Sequence, residues 1–258
     1  MTDARFCYTV DDNIRFLKEI NESGYGSIFD HPYLQMYKRL HEKYGLRVQL
    51  NLFYQCPGFD LSQMTDRYRD EWAANTDWLR LSFHSRLENP RPYENAGYDE
   101  VFSDCQSVHR EILRFAGEGS LAATTTVHFC LATGEGIAAL WDNGVRGLLG
   151  LYGENQQPNR SYQSTVEECA RLRAGETVMT DGIAYAGIDI ILNCFDTEEI
   201  LRQLGLLSER SLIKVMIHEQ YFYPDYKRYQ PEFEQKLDAT FSYLLKNGYQ
   251  SCFFEETY

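Results

Sequence analysis

Short apolar runs alternate along this chain with segments whose apolar positions recur every three or four residues, which is the alternation of strands and amphipathic helices. The first run, Arg5-Phe6-Cys7-Tyr8-Thr9-Val10, is aromatic and β-branched and ends abruptly in Asp11-Asp12-Asn13. It reads as a buried strand whose acidic pair sits where the chain leaves the sheet. Further strands are expected over 47–54, 78–83, 121–127, 145–151, 177–180, 187–193, 211–217 and 251–254. Between them the spacing predicts helices over 14–20, 33–44, 64–74, 98–116, 137–141, 165–172, 197–204 and 233–245, with a loop over 85–96. Strands joined by helical crossovers imply a parallel α/β fold with right-handed connections. So many units within 258 residues favour a (β/α)7-8 barrel spanning residues 1–258 as one domain. The alternative, an open doubly wound sheet, lacks a G-x-G-x-x-G or Walker loop after any strand.

This pattern delivers polar, chemistry-bearing residues to strand ends. His84 follows the 78–83 strand, His128 follows 121–127 and His218 closes 211–217. In barrels and open α/β sheets that rim is where sites are built. For each residue alone a plain structural role competes: a hydrogen-bonded core histidine, or Asp12 or Asn13 as the N-cap of the next helix. His31 and His41 fall at a helix start and within a helix and receive no role.

A formal net charge of −13 argues against nucleic acid or an anionic membrane as partner, since either needs clustered cations. The seven cysteines are scattered without a C-x-x-C pair, and an odd number cannot all pair within the chain, so they read as reduced, mostly buried small apolar residues. No apolar stretch is long enough to span a bilayer and none precedes the first strand, from which a cytoplasmic location is expected.

Thr9-Val10-Asp11-Asp12-Asn13, His84-Ser85-Arg86-Leu87-Glu88 and Val215-Met216-Ile217-His218 occur in the order and spacing of three motifs of the polysaccharide deacetylase, or chitooligosaccharide deacetylase homology, family. These motifs are T-F-D-D-G, H-[ST]-x-x-H and L-x-H, and Leu50-Asn51-Leu52-Phe53-Tyr54 resembles the family's T-F-F strand. The chain resembles a divergent member over about residues 6–254. The resemblance implies a distorted (β/α) barrel and a divalent-metal hydrolase. It implies Asp11 as the general base toward the attacking water, Asp12 and His84 as metal ligands, and His218 as the general acid toward the departing amine. Glu88 stands where the family has its second ligand histidine and is the expected third ligand, with His128 as the alternative. Zinc is the expected ion, with manganese, magnesium, cobalt and nickel as alternatives.

The family's arginine motif has no counterpart near Thr126-Val127-His128-Phe129, where His128 or Arg86 is the available substitute. Its D-x-x-D-W motif is also missing, leaving Asp181 and Asp189 to hold His218. The aromatic loop after His218 supplies Tyr221 and Tyr223, which with His128 and Arg86 form the expected substrate-binding set; Tyr54, Tyr93, Tyr152 and Tyr185 are further rim candidates. The expected activity is hydrolysis of a non-peptide C–N bond, above all N-deacetylation of a small amino-sugar derivative. The altered motifs support a second reading, a catalytically silent barrel that binds a carbohydrate or metabolite. A third is a hydrolase of cyclic amides or purine-breakdown intermediates. The expected partners are a small, carbohydrate-like substrate and a second copy of the chain, with neither nucleic acid nor membrane.

Overall fold

The computed structural model of the protein describes residues 4–88, 91, 93–153 and 161–258. Part of the expected 85–96 loop therefore lies outside the described residues. In chain order the strands are β1 (Arg5–Asn13), β2 (Val48–Phe53), β3 (Gln55–Cys56), β4 (Phe59–Asp60), β5 (Leu79–Ser85) and β6 (Thr124–Thr125). They continue with β7 (Gly147–Gly150), β8 (Val178–Thr180), β9 (Ile183–Gly187), β10 (Ile190–Ile191), β11 (Leu212–His218) and β12 (Gln250–Cys252). The main helices are α1 (Arg15–Ser23), α2 (Pro32–Tyr44), α3 (Arg69–Ala73), α4 (Tyr98–Phe115), α5 (Gly134–Asp142), α6 (Val166–Arg173), α7 (Thr197–Leu206) and α8 (Phe233–Lys246). No helix among the described residues is long and apolar enough to cross a membrane.

The larger sheet is parallel, in the order β10-β11-β1-β2-β5, with β12 beside the start of β1. A second sheet runs β6-β7-β9-β8, parallel except for the β8–β9 hairpin. The two sheets meet at two seams. At one, the chain passes from β9 directly into β10, and the Ile188 and Asp189 amides donate to Gly150 and Lys214 on opposite sheets. At the other, Leu81 of β5 bridges Leu121, just before β6. The result is an α/β fold of distorted-barrel type; the ladders among the described residues do not form a continuous closed barrel.

Alternation along β1 decides what faces where. Phe6, Tyr8 and Val10 pack beneath the helices, with Phe6 stacked on Phe241 and Tyr8 bonded through its hydroxyl to Tyr37. Cys7 faces inward, clustered with Leu149, Ala184, Ala186 and Cys252. Higher up, the interior is polar. Gln49 of β2 takes a hydrogen bond from the Thr124 hydroxyl and donates to Asn51. Alternation in R-V-Q-L-N-L-F-Y is thus the alternation of an apolar outer face and a polar inner one.

The sequence expectation differs from the structure in the second sheet. Only Thr124–Thr125 of the expected 121–127 strand is laddered, and the expected 187–193 strand is the short β10 followed by one helical turn. The strand Ile183–Gly187 falls between the expected strands 177–180 and 187–193. Asp181-Gly182, both at positive φ, form the two-residue turn that joins it to β8, and a side chain at Gly182 would collide with Trp141. All seven cysteines are free, five of them buried; Cys194 is exposed.

Helix α4 buries His109, whose Nε2 lies 3.6 Å from the Cys105 thiol. Burial pushes its imidazole down to about 4, against a hydrogen bond with the Asn143 backbone. Unfolded, the same group binds its proton near pH 6.5. Between those values the unfolded chain holds more protons, so stability falls as pH drops from about 6.5 to about 4 and is unaffected above. His109→Gln is expected to remove about 3 kcal/mol of this acid loss, at 1.4 kcal/mol per unit. Denaturant titrations of both proteins at pH 7 and pH 4.5 check it, and equal losses would refute it.

Candidate metal centre

The site begins with an irregularity in β1. Consecutive strand residues point to opposite faces, yet Asp11 and Asp12 line the same cavity. The register of β1 against β2 slips between Val10 and Asn13, and Asp12 takes a left-handed φ of 63°. That bulge turns the second carboxylate inward beside the first. Asn13 does not cap α1. Its amide bonds the Val10 and Asn51 carbonyls and its oxygen accepts from Tyr33.

The cap of α1 comes from the end of the neighbouring strand, β11. Glu219, buried after β11, accepts hydrogen bonds from the amides of Ile14, Arg15 and Phe16 and from the Tyr223 hydroxyl. Burial raises its carboxyl pKa against those bonds. This carboxylate ties the loop carrying His218 to the helix that follows the aspartates. Glu219→Ala, which strands three amides and a phenol, is expected to cost about 2–4 kcal/mol, and Tyr223→Phe about 1 kcal/mol. Chemical denaturation measures both; equal costs would contradict the shared cap.

His84, on β5, directs Nε2 to 3.0 Å from Asp12 Oδ1, and its Nδ1 bonds the Thr126 carbonyl. His128 directs Nδ1 to 3.3 Å from the same oxygen, and its Nε2 lies 2.7 Å from the Glu88 carbonyl. A carbonyl only accepts, so each imidazole carries its proton on the outward nitrogen and presents a lone pair inward. Those two inward nitrogens are 3.1 Å apart. Three lone-pair donors thus converge with no hydrogen between them when both rings are neutral, an arrangement that repels itself unless a cation fills it. The 3.0–3.3 Å edges match the spacing of ligands held about 2.0–2.1 Å from one first-row divalent ion. The donor set fits such an ion.

The electrostatics follow. Burial works against the Asp12 carboxylate, but the facing imidazoles of His128 and His84 hold its carboxyl well below the usual range. A proton on either ring takes the place a cation would. Burial likewise depresses His84. The second Asp12 oxygen accepts from Gln220, 2.6 Å away. Asp11 is different: burial pushes its carboxyl well up despite a hydrogen bond from Asn51, and the charge of Asp12 adds to the rise. That bond is 2.7 Å and ends the chain Thr124–Gln49–Asn51–Asp11, which fixes the Asn51 amide with its NH2 toward the acid.

His218 pairs in register with Asp11 on the adjacent strand. Its Nδ1 lies 2.9 Å from Asn193 Oδ1, leaving Nε2 for the cavity, and burial lowers its pKa. Neither aspartate expected near it plays that part. Asp181 forms the β8–β9 turn, and Asp189 is paired with Arg210 and Lys214. Arg86 does not reach Asp11 either; it pairs with Asp104 and lies over Tyr54.

The structure therefore brings together Asp11, Asp12, His84, His128 and His218, and it is His128, not Glu88, that meets Asp12 and His84. Glu88 contributes its carbonyl to His128 while its side chain is exposed on the cavity edge. Tyr221 lies with its ring 6.2 Å from that of His218, whereas Tyr223 is buried as the Glu219 partner. Tyr93 is buried against Asp104. Beside His128, Phe129 takes a left-handed φ of 61° and packs its ring at a tilt, 4.1 Å from that imidazole, while remaining exposed.

The sequence matches no protein-family model and no curated protein. Solved structures do match. A family 4 acetyl xylan esterase from Clostridium thermocellum, in complex with a cobalt ion, aligns with a TM-score of 0.52 at 13% identity over 97% of this chain and 88% of its own. The chain has the polysaccharide deacetylase fold. The polysaccharide deacetylase Bc1974 from Bacillus cereus aligns at 0.50 and 10% identity over 99% of this chain and 94% of its own. A 4-alpha-glucanotransferase from Thermococcus litoralis gives 0.62 at 12% identity, though this chain spans 40% of it. In this deacetylase-type fold, the centre occupies the strand ends β1, β5 and β11 with the segment after β6.

Proposed function

We propose that the protein is a divalent-metal-dependent hydrolase of amide-type C–N bonds, acting as an N-deacylase on a small carbohydrate-like substrate. The observation that carries this reading is the convergence of three lone-pair donors, from Asp12, His84 and His128, beside a separate buried carboxyl and an imidazole. Asp12, His84 and His128 would hold the ion, which when bound would polarise the acyl oxygen and make water more acidic. Zinc, manganese, cobalt and nickel all suit a mixed imidazole and carboxylate set, and magnesium suits it less.

The remaining chemistry belongs to the protein. Asp11, made more basic by burial, accepts a proton from the attacking water. Asn51 and the amide chain behind it hold the Asp11 carboxylate in place without a positive charge. His218 has its Nδ1–H fixed on Asn193 and delivers a proton from Nε2 to the departing nitrogen, a proton that burial makes easier to lose. The aromatic side chains of Tyr221 and Phe129 line the cavity beside these groups and offer apolar surface to a bound substrate. Glycosyl transfer, the activity in the glucanotransferase's name, fits this cavity less well. Its two buried acids are neighbours in sequence, and one is engaged by two imidazoles and Gln220.

The test is metal analysis of the purified protein followed by an acetate-release assay on N-acetylated amino sugars with zinc, manganese, cobalt, nickel or magnesium added. About one bound ion per chain and metal-dependent release of acetate are expected. Sugar binding without any retained cation or turnover would favour the silent barrel instead.

A further inference from the structure

The candidate centre stands in the wall between two cavities. The smaller, about 270 Å3, carries Asp11, Asp12, His84, Thr126, His128 and His218 on one side. The same cavity also has an apolar wall, formed by Cys130, Leu151, Ile191 and Met216. Met216 lies two residues before His218 on the same inward face of β11 and is the register partner of Ile191 on β10, so the apolar wall lies one layer deeper than the reacting groups. The larger cavity, about 740 Å3, opens on the other side of Asp12, Glu88, Gln220 and Tyr226, which line both. Its own lining mixes the polar Arg15, Gln55 and Asp225 with Phe53, Pro57 and Leu87.

A bond broken at this wall separates a substrate into two halves, one for each cavity. The half suited to the apolar wall is the acyl group. An acetyl methyl fills roughly the 30 Å3 of one water molecule, a small part of the 270 Å3 available. The Thr126 hydroxyl, buried in the same cavity, has no hydrogen-bond partner among the described residues, as expected of a wall that a ligand completes.

Resting on the hydrolase reading above, we propose that the protein removes acyl groups longer than acetyl. The acyl chain lies against Cys130, Leu151, Ile191 and Met216, and the amine half lies in the larger cavity. In the reaction, the oxygen of water bonds to the acyl carbon and the C–N bond breaks. Asp11 takes a proton from the water, the nitrogen leaves as the amine with a proton from His218, and the acyl chain departs as the carboxylic acid.

The experiment compares N-acetyl-, N-butyryl- and N-hexanoyl-glucosamine with the metal-supplemented protein, measuring released glucosamine. In parallel, calorimetry follows binding of acetamide, butyramide and hexanamide to the protein in chelator. Both kcat/KM and amide affinity are expected to rise about fourfold per added methylene, the value of one buried CH2. Ile191→Phe, and independently Leu151→Phe at the half-buried edge, are expected to lower the hexanoyl-to-acetyl ratio more than tenfold. A flat or falling series with acetyl the best substrate would overturn the acyl-chain proposal and leave the hydrolase reading intact. Release of no amine from any of the three, with no cation retained, would overturn both. Chain-length-dependent amide binding without turnover would support the apolar wall and count against hydrolysis.

Discussion

Replacing His128 by alanine is expected to lower divalent-cation affinity by more than a hundredfold, beyond the roughly 10–100-fold that loss of an outer hydrogen-bond partner costs. Glu88→Ala is expected to leave it within about twofold of the original. The contrast follows from placement. His128 Nδ1 lies 3.3 Å from Asp12 Oδ1 and 3.1 Å from His84 Nε2, with its other nitrogen secured on the Glu88 carbonyl. The alanine substitution at Glu88 keeps that carbonyl and removes only an exposed side chain. A second readout separates ligand loss from damage to the fold. Without metal, a proton on His84 can still face Asp12, so the His128→Ala protein in chelator should unfold cooperatively within several degrees of the original and should lose the upward shift that zinc or manganese gives. Titration calorimetry and melting curves with each ion provide the measurements. Retained affinity in His128→Ala together with its loss in Glu88→Ala would reinstate the spacing inferred from His84-Ser85-Arg86-Leu87-Glu88.

The preference for Glu88 on sequence grounds shows where a linear motif stops being informative. Strand ends deliver side chains by register, and His84 and His128 leave neighbouring strands of two sheets that meet at the Leu81–Leu121 seam. Proximity there exceeds what a four-residue spacing on one loop provides. The polar residues that the pattern puts at strand ends, Asp11, Asp12, His84, His128 and His218, do line one cavity. The same pattern would have found Asn193, at the end of the expected 187–193 strand, had neutral amides been weighed beside acids and imidazoles. Asn51 and Gln49 were visible as the polar half of an alternating strand, but their inward orientation needs a barrel interior that is polar near its mouth. Glu219 and Gln220 gave no local signal, because the groups they bind, the start of α1 and Asp12, lie some two hundred residues away. The parallel core was legible from apolar runs such as 211–217. The β8–β9 hairpin hides in the sequence because the aspartate of its turn dipeptide, Asp181-Gly182, reads equally well as a candidate acid.

Asp11→Asn is expected to reduce turnover by about 10²- to 10⁴-fold while leaving cation affinity within a few-fold. Asp11 lies outside the triangle of Asp12, His84 and His128, yet its carboxyl is buried beside them and accepts the Asn51 amide at 2.7 Å. Asparagine preserves shape and burial but cannot take a proton from water. It also turns an acceptor pair into one acceptor and one donor, which the Asn51 NH2, fixed by Gln49, meets without clash only through the carbonyl oxygen. The structural cost should therefore be small, and melting curves in chelator should differ by only a few degrees. Gln49→Ala provides the complementary case. It frees the Asn51 amide to rotate without touching Asp11, so turnover should fall by less than in Asp11→Asn and cation affinity should be unchanged. If Asp11→Asn retains full turnover under metal-saturating conditions, another group must accept the proton. Within this cavity the remaining candidates are Glu88 at its edge and His218, whose own Nδ1–H is committed to Asn193. A parallel His218→Gln measurement would separate those two, since a base at His218 predicts loss of turnover in that variant and a base at Glu88 predicts loss in Glu88→Gln.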